Sequence, residues 1–334
     1  MLRFAVVGLG FGQQHVRTLA NLPDAQLVAV ADRNPKLEKT LYEDNYGAKV
    51  YRNAEELLDK ETLDALIISI APKHRDTLIE RAAQKDVALF VEKPWGTNLE
   101  HAQELAALCA KHDAKVMVGF SFRYHPAIVK LRELLENDLG APWLLNAEYL
   151  FDWLPPAENW LWDKANGGGF FNENSCHLFD AICYLLGEPV SVYAAGSSFS
   201  GRPSEDGVAV TLRFKNGAVA TATLGGIGVG AHKDYPRLDL VSANGQAKLR
   251  GQTHIWTSLR WARRGEQTVQ QFEASPEQLG RTRYTDALEH FITCIKENKA
   301  PSATVQDGIR SVQIAEAIYA SLETGQVVQL KETV

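Results

Sequence analysis

The sequence predicts an α/β protein of two domains. A doubly wound parallel sheet is expected over residues 1–122, and an α+β domain with a mostly antiparallel open sheet over 123–334. Three observations carry this. Over the first ~120 residues short apolar runs alternate with helical patterns, the βαβα order of a parallel sheet. After Phe120 the alternation gives way to consecutive β runs, with hairpin signals at Asn216-Gly217 and Asn244-Gly245. A chain of 334 residues is also too long for one ordinary core.

The first strand, Leu2 to Val7, runs into Gly8-Leu9-Gly10-Phe11-Gly12 and then a helical pattern to Leu22. This is the logic of a dinucleotide-binding turn. Gly8 permits a tight turn, Gly10 admits a pyrophosphate to the backbone, and a helix start offers N–H donors. The third glycine comes one residue early, at Gly12 rather than at position 13, and a generic βα turn is the competing reading. A second buried strand, Gln26 to Ala31, ends at Asp32, where an acidic residue accepts from the adenosine ribose hydroxyls of NAD. A 2′-phosphate would face that carboxylate, so NAD is favoured. The adjacent Arg33 can reach a phosphate and keeps NADP open. Asp32 also fits a helix cap or turn.

A strand from Asp64 to Ile70 is followed by Pro72 and His74 at its end, both candidates for the cofactor cleft, although His74 equally fits a helix start. A helix over about Asp76–Gln84 leads to Ala88-Leu89-Phe90-Val91, an apolar run like that of a parallel strand buried on both faces. It stops at Glu92-Lys93-Pro94, because proline has no N–H for the ladder. Ligands sit outside the carboxyl ends of such strands, which makes Glu92 and Lys93 site candidates. Taken alone, the pair also fits a strand-end salt bridge. Thr97-Asn98-Leu99-Glu100 reads as a capping box for a helix over about Leu99–His112, and Val116–Gly119 closes the sheet.

In the second half a helix over about Ala127–Leu135 and a strand over Trp143–Phe151 precede a tryptophan-rich connection with Trp153, Trp160 and Trp162. Gly167-Gly168-Gly169 then leads to a helix expected over about Asn172–Leu186. Glu173, His177, Asp180 and Tyr184 share one stripe of that helix, at i, i+4, i+7 and i+11. The stripe also fits a solvated face. No H-E-x-x-H or third clustered ligand is present, so no metal is expected. Strands follow at Val208–Phe214, Ala218–Leu224, Leu238–Ser242, Ala247–Arg250 and Ile255–Trp261, then helices over about Thr285–Glu297 and Val305–Leu322.

Net charge is −6, which argues against nucleic acid or an anionic membrane surface as partner. No apolar run approaches the length of a membrane span. Four cysteines lack paired spacing; Cys176 and Cys183 would lie roughly 10 Å apart along a helix, too far for a disulfide. A reducing cytoplasm fits best. A bare antiparallel sheet face would suit self-association, so a homodimer or homotetramer is expected.

The glycine turn, Glu92-Lys93-Pro94, and the triple glycine leading to an acidic residue, His177 and Asp180 together resemble the Gfo/Idh/MocA oxidoreductases, which are NAD(P)-dependent dehydrogenases of sugars, polyols and inositols. The likeness extends to Arg123 and to the terminal Ala315–Leu322 helix. It implies a Rossmann domain in the first half, with Gly8, Gly10, Phe11, Gly12, Asp32, Arg33, Pro72, His74, Glu92 and Lys93 at the cofactor. By motif it assigns catalysis to Lys93, Glu173 and His177, with Glu173 standing where the family has aspartate. A histidine, with an ordinary pKa of about 6.5, suits the general base. Lys93 would donate to the substrate oxygen. Glu173 would orient His177 or bind a neighbouring hydroxyl. Tyr124 and Trp162 are candidate substrate residues because aromatic faces pack on the C–H faces of sugars; core or subunit interface is the alternative for the tryptophans. Two other functions share these residues. One is a glycosidase that retains NAD and oxidises its substrate transiently. The other is a sugar or nucleotide sensor that has lost catalysis.

Overall fold

The structure, a computed structural model, describes residues 1–34, 42–43, 46–280 and 284–332. They form two compact units, one of Met1–Phe120 with Thr282–Ile309 and the other of Ser121–Arg281 with Arg310–Val334. The first junction falls two residues before the boundary read from the sequence, and the stretch 282–309 groups with the first unit rather than the second.

The first unit holds a six-stranded sheet made of β1 (Leu2–Val7), β2 (Ala25–Ala31), β3 (Lys49–Tyr51), β4 (Ala65–Ile68), β5 (Ala88–Val91) and β6 (Val116–Val118). The order is β3-β2-β1-β4-β5-β6 and every pairing is parallel. This is the doubly wound order, with its switch point between β1 and β4. All residues of β4 and β5 are buried, as a strand covered on both faces requires. The helix Thr285–Glu297 joins this unit because Phe291 packs edge-on against Phe4 and Phe90, at 6.4 and 5.8 Å between ring centroids. An amphipathic pattern announces a buried face but not the surface that covers it.

The second unit is built on nine strands: β7 (Pro142–Leu150), β8 (Pro189–Ser197), β9 (Gly207–Phe214), β10 (Val219–Gly225), β11 (Arg237–Ser242), β12 (Gly245–Gln252), β13 (Ile255–Arg263), β14 (Gln270–Glu273) and β15 (Val328–Gln329). Their order is β14-β13-β12-β11-β7-β10-β9-β8-β15. Only β7 and β10 run parallel among the described pairs. Alternate residues of β7 and β9–β12 are buried in one continuous core with the helices Pro126–Leu134 and Cys176–Leu186.

Three local expectations need correction. The helix over Asn172–Leu186 is two helices, Gly169–Glu173 and Cys176–Leu186, parted at Asn174-Ser175. Both are residues whose side chains compete with the helical backbone. Glu173 therefore does not share a helical stripe with His177. The helix Leu99–Lys111 is capped by Asn98, whose Oδ1 accepts from the His101 N–H at 2.8 Å, and the Thr97 hydroxyl lies 3.0 Å from His101 Nδ1 instead of serving as the cap. The β11–β12 hairpin turns at Ala243-Asn244, and Gly245 is already the first residue of β12.

Candidate active site

The cofactor candidates converge at the switch point. Gly8 follows β1 with φ +89°, and a Cβ there would collide with the Ser69 carbonyl beyond β4. Gly12 leaves no room either, because its Cβ would overlap the Gly8 carbonyl oxygen. A glycine at position 12 thus meets the steric demand of a close turn although it arrives one residue early. Around Gly10 nothing lies within 4 Å of a built Cβ, so the backbone there is open to a ligand. Phe11 is 44% exposed and sets its ring edge-on against Tyr284 at 5.6 Å.

Asp32 holds this loop as well as facing the cleft. Its Oδ2 accepts from the Leu9 N–H at 2.6 Å and its Oδ1 from the Asn34 N–H at 2.8 Å. A cleft of about 430 Å³ opens beside Gly8 and is lined by Asp32, Arg33, Arg52, Lys73 and His74 among others. Pro72 is buried while His74 is exposed on the cleft wall. An open Gly10, a carboxylate at the end of β2 and cationic side chains on one cleft fit a dinucleotide, with the ribose at Asp32 and phosphate near the loop.

At the end of β5 the two neighbouring candidates part company. Lys93 is half-buried, whereas Glu92 is 3% exposed and its carboxylate is turned inward. Glu92 Oε1 lies 2.7 Å from His15 Nε2, and Oε2 accepts from the Lys93 N–H at 3.2 Å. The carboxylate expected at the cofactor is thus engaged by His15 and by the backbone of its own turn. His15 is fully buried in the first turn after the glycine loop, with Phe90 and Tyr284 around its ring at 5.1 and 4.8 Å. His15 belongs to no motif visible in the sequence. The available signal was its place on the i, i+4, i+7 stripe with Leu19 and Leu22, which makes it an inward-facing polar residue.

The remaining candidates belong to the second unit. His177 is 3% exposed and stacks on Phe122 at 5.0 Å with a 21° interplanar angle. Glu173 is half-buried at the end of the short helix, and its carbonyl accepts from Cys176 Sγ at 3.1 Å. The triple glycine serves this approach: Gly168 and Gly169 both have φ +79°, and a Cβ on Gly167 or Gly169 would strike Trp160 or the Tyr319 hydroxyl. Tyr319 in turn accepts from the Phe171 N–H at 3.1 Å. Tyr124 is half-buried in the turn Ser121–Tyr124.

Asp180 has a structural occupation. It is gripped in a two-point ion pair by buried Arg123, whose Nε donates to Oδ2 at 2.9 Å and whose Nη2 donates to Oδ1. The Arg123 guanidinium also lies 5.0 Å from the centre of the Tyr184 ring. Burial pushes the Tyr184 phenol above its ordinary value, with Arg123 and Arg132 opposing. Trp162 is buried, its ring stacked on Phe170 at 5.6 Å and its N–H donating to the Pro156 carbonyl at 3.1 Å, a packing that fits the core alternative read for it. Trp153 and Trp160 are the exposed members of that segment.

Comparison with known proteins decides the family. A model of an oxidoreductase family's NAD-binding Rossmann fold matches residues 2–120, and a model of the same family's C-terminal alpha/beta domain matches 132–330. The chain belongs to the Gfo/Idh/MocA oxidoreductases. Among curated members it is 27% identical to the myo-inositol 2-dehydrogenase of Thermotoga maritima, covering 100% of both chains. It is 24% identical to the D-apiose dehydrogenase of Paraburkholderia graminis, covering 98% of this chain and 89% of that one. A solved levoglucosan dehydrogenase, in complex with NADH and L-sorbose, superimposes with a TM-score of 0.89 at 20% identity, over 99% of each chain. This Gfo/Idh/MocA fold has no helix, among the described residues, long and apolar enough to cross a membrane.

Proposed function

We propose that this protein is an NAD(P)-dependent dehydrogenase that interconverts a secondary alcohol and a ketone on a sugar, polyol or inositol. The observation that carries the reading is the dinucleotide cleft at the β1/β4 switch point, with Lys93 leaving the carboxyl end of the next strand on the same edge of the sheet. The family relatives supply the substrate class: inositol dehydrogenases recur among them, and sugar dehydrogenases accompany them. We take residues 1–122 as the dinucleotide-binding domain and 123–334 as the substrate and oligomerisation domain, with 282–309 lending structural support to the first.

The bound nicotinamide supplies the hydride acceptor in oxidation and the hydride donor in reduction. Gly8, Gly10 and Gly12 would admit its pyrophosphate, and Asp32 would accept from the adenosine ribose. Arg33, Arg52 and Lys73 on the same cleft leave room for the 2′-phosphate of NADP. Lys93 would donate to the substrate oxygen and stabilise the negative charge that grows there. His177 would take the hydroxyl proton and return it in reduction. Stacking on Phe122 restrains the imidazole, so its orientation is set before substrate arrives. Glu173 would bind a neighbouring hydroxyl or steer His177, and Tyr124 would contact substrate. The buried free cysteines support a reducing cytoplasm. Exposed Trp143 and Leu144 on β7 and Tyr193 on β8 support self-association into a dimer or tetramer, which sedimentation against the 37.0 kDa chain mass would test.

The deciding experiment follows nicotinamide absorbance with NAD and with NADP against a panel of inositols, sugars and glycosides, with Lys93→Ala as control. Turnover that disappears in the variant supports the reading. No net reduction of added cofactor, with NAD already bound to the purified protein, would replace it with a redox glycosidase.

A further inference from the structure

We propose that Arg75 is a positioning residue for Lys93, gripping the backbone of the Glu92-Lys93-Pro94 turn through a set of carbonyl hydrogen bonds. Arg75 is 2% exposed, among the largest fully buried side chains of the protein. An arginine so deeply buried must find partners for a planar fork of five N–H donors. Here Nη1 donates to the Glu92 and Pro94 carbonyls, each at 2.5 Å, and Nη2 points at the Lys93 carbonyl at 3.4 Å. Nε donates to the Ile70 carbonyl at 2.7 Å, beyond the end of β4. One guanidinium therefore ties three consecutive carbonyls of the Lys93 turn to the neighbouring strand end.

The turn has reason to need this. Strand pairing of β5 ends at Val91, where it faces Ile68 on one side and Val118 on the other. Past that point Pro94 has no N–H to give, and the carbonyls of residues 92–94 leave the ladder. Carbonyl dipoles converging on one cation are charge-assisted bonds, stronger than neutral ones. His15 meets the Glu92 side chain as well, so residue 92 is held through its carboxylate and through its carbonyl. Ile70, Lys73, His74, Asp76 and Thr77 line the cleft, and Arg75, between His74 and Asp76 in the chain, buries its side chain behind them. The wall that would meet the cofactor and the backbone that carries Lys93 are thereby one rigid piece. A lysine at position 75 keeps the charge but has a point-like ammonium that cannot span the same carbonyls.

The inference rests on the reading of Lys93 as donor to the substrate oxygen, and its test includes a readout that needs no substrate. Arg75→Lys and Arg75→Met would be compared with the unmodified protein for cooperative melting, NADH binding by fluorescence titration, and labelling of Lys93 by trinitrobenzenesulfonate. The labelling is read by peptide mass spectrometry against exposed Lys60. Because amine reactivity follows surroundings and proton affinity, the Lys93-to-Lys60 labelling ratio should change by about threefold or more while NADH affinity stays within about threefold. Turnover of myo-inositol with NAD should fall roughly 10–100-fold, the scale of a displaced reacting group. In Lys93→Ala, adding Arg75→Lys should cost little more, since two residues acting as one unit are not additive. An unchanged labelling ratio in a folded variant overturns the proposal. Loss of cooperative melting in both variants also overturns it and assigns Arg75 to folding alone. If the unmodified protein fails to oxidise myo-inositol and the rest of the panel, the dehydrogenase reading fails, and the labelling ratio still decides the role of Arg75.

Discussion

Lys93 and His177 carry the chemistry in this reading, and each is tied to its backbone setting by neighbours that do not react. Lys93→Ala and His177→Ala should each lower kcat by roughly 10²–10⁴-fold, with cofactor affinity retained. Near-normal turnover in both, with cofactor still bound, would remove them from the mechanism. Asp32 has two tasks that substitution can separate. Asp32→Asn keeps an oxygen for the Leu9 N–H, which now sits 2.6 Å from the carboxylate, while removing the charge that repels a 2′-phosphate. It should relax the preference for NAD over NADP with the loop intact. Asp32→Ser should weaken both cofactors, because the loop loses its anchor as well. Equal preference ratios in all three proteins, measured as kcat/KM with each cofactor, would show that the ribose lies elsewhere.

Among the elements, the helix Cys176–Leu186 shows how a site is held from behind. It carries His177 on one turn and Asp180 on the next, and Asp180 is locked to Arg123 in the turn Ser121–Tyr124 that also carries Phe122. The pair fixes the helix against the very segment on which the imidazole stacks. Arg123→Met would leave the Asp180 carboxylate buried without its guanidinium and should cost about 3–5 kcal/mol in urea unfolding. Replacing both partners, Arg123→Met with Asp180→Leu, should recover much of that loss because no orphan charge remains. If the double variant is as unstable as the single one, packing rather than charge explains the cost. The hairpin between β12 and β13 joins two strands expected from the sequence, but its turn carries no turn signal. It turns through Thr253 and His254 at φ +49° and +71°, positions that usually take glycine or asparagine, and neither residue is there to mark it.

At the scale of the molecule, two units imply that unfolding need not be a single transition. The unit holding the cleft is the one NAD should stabilise, by about 2.7 kcal/mol when free NAD stands at roughly 100 times its dissociation constant. Scanning calorimetry should show one transition moving upward with NAD while any other stays, and the shift should shrink in Asp32→Ser. A ligand-independent thermogram would place the cofactor outside this cleft. The helix Thr285–Glu297 melts with the NAD-responsive transition on this account, since Phe291 packs on Phe4 and Phe90 of that sheet.

Much of the architecture was legible in the chain itself. Apolar runs bounded by Gly8, Asp32 and Glu92 announced buried parallel strands with polar ends, and the change of pattern after Phe120 announced a different domain. The glycine turn, Lys93 and His177 stand out as candidates because each sits in a short local motif: Gly8–Gly12, Glu92-Lys93-Pro94, and the triple glycine leading to Glu173 and His177. The tertiary structure decided what spacing cannot express. It turned Glu92 inward onto His15, set Asp180 against Arg123, buried Trp162 under Phe170, broke the helix between Glu173 and His177, and returned 282–309 to the first unit. The physical reason is the same in each case. Periodicity records which face of an element is buried, whereas the partner that buries it, or satisfies its polar atoms, arrives from tens or hundreds of residues away and is chosen by packing.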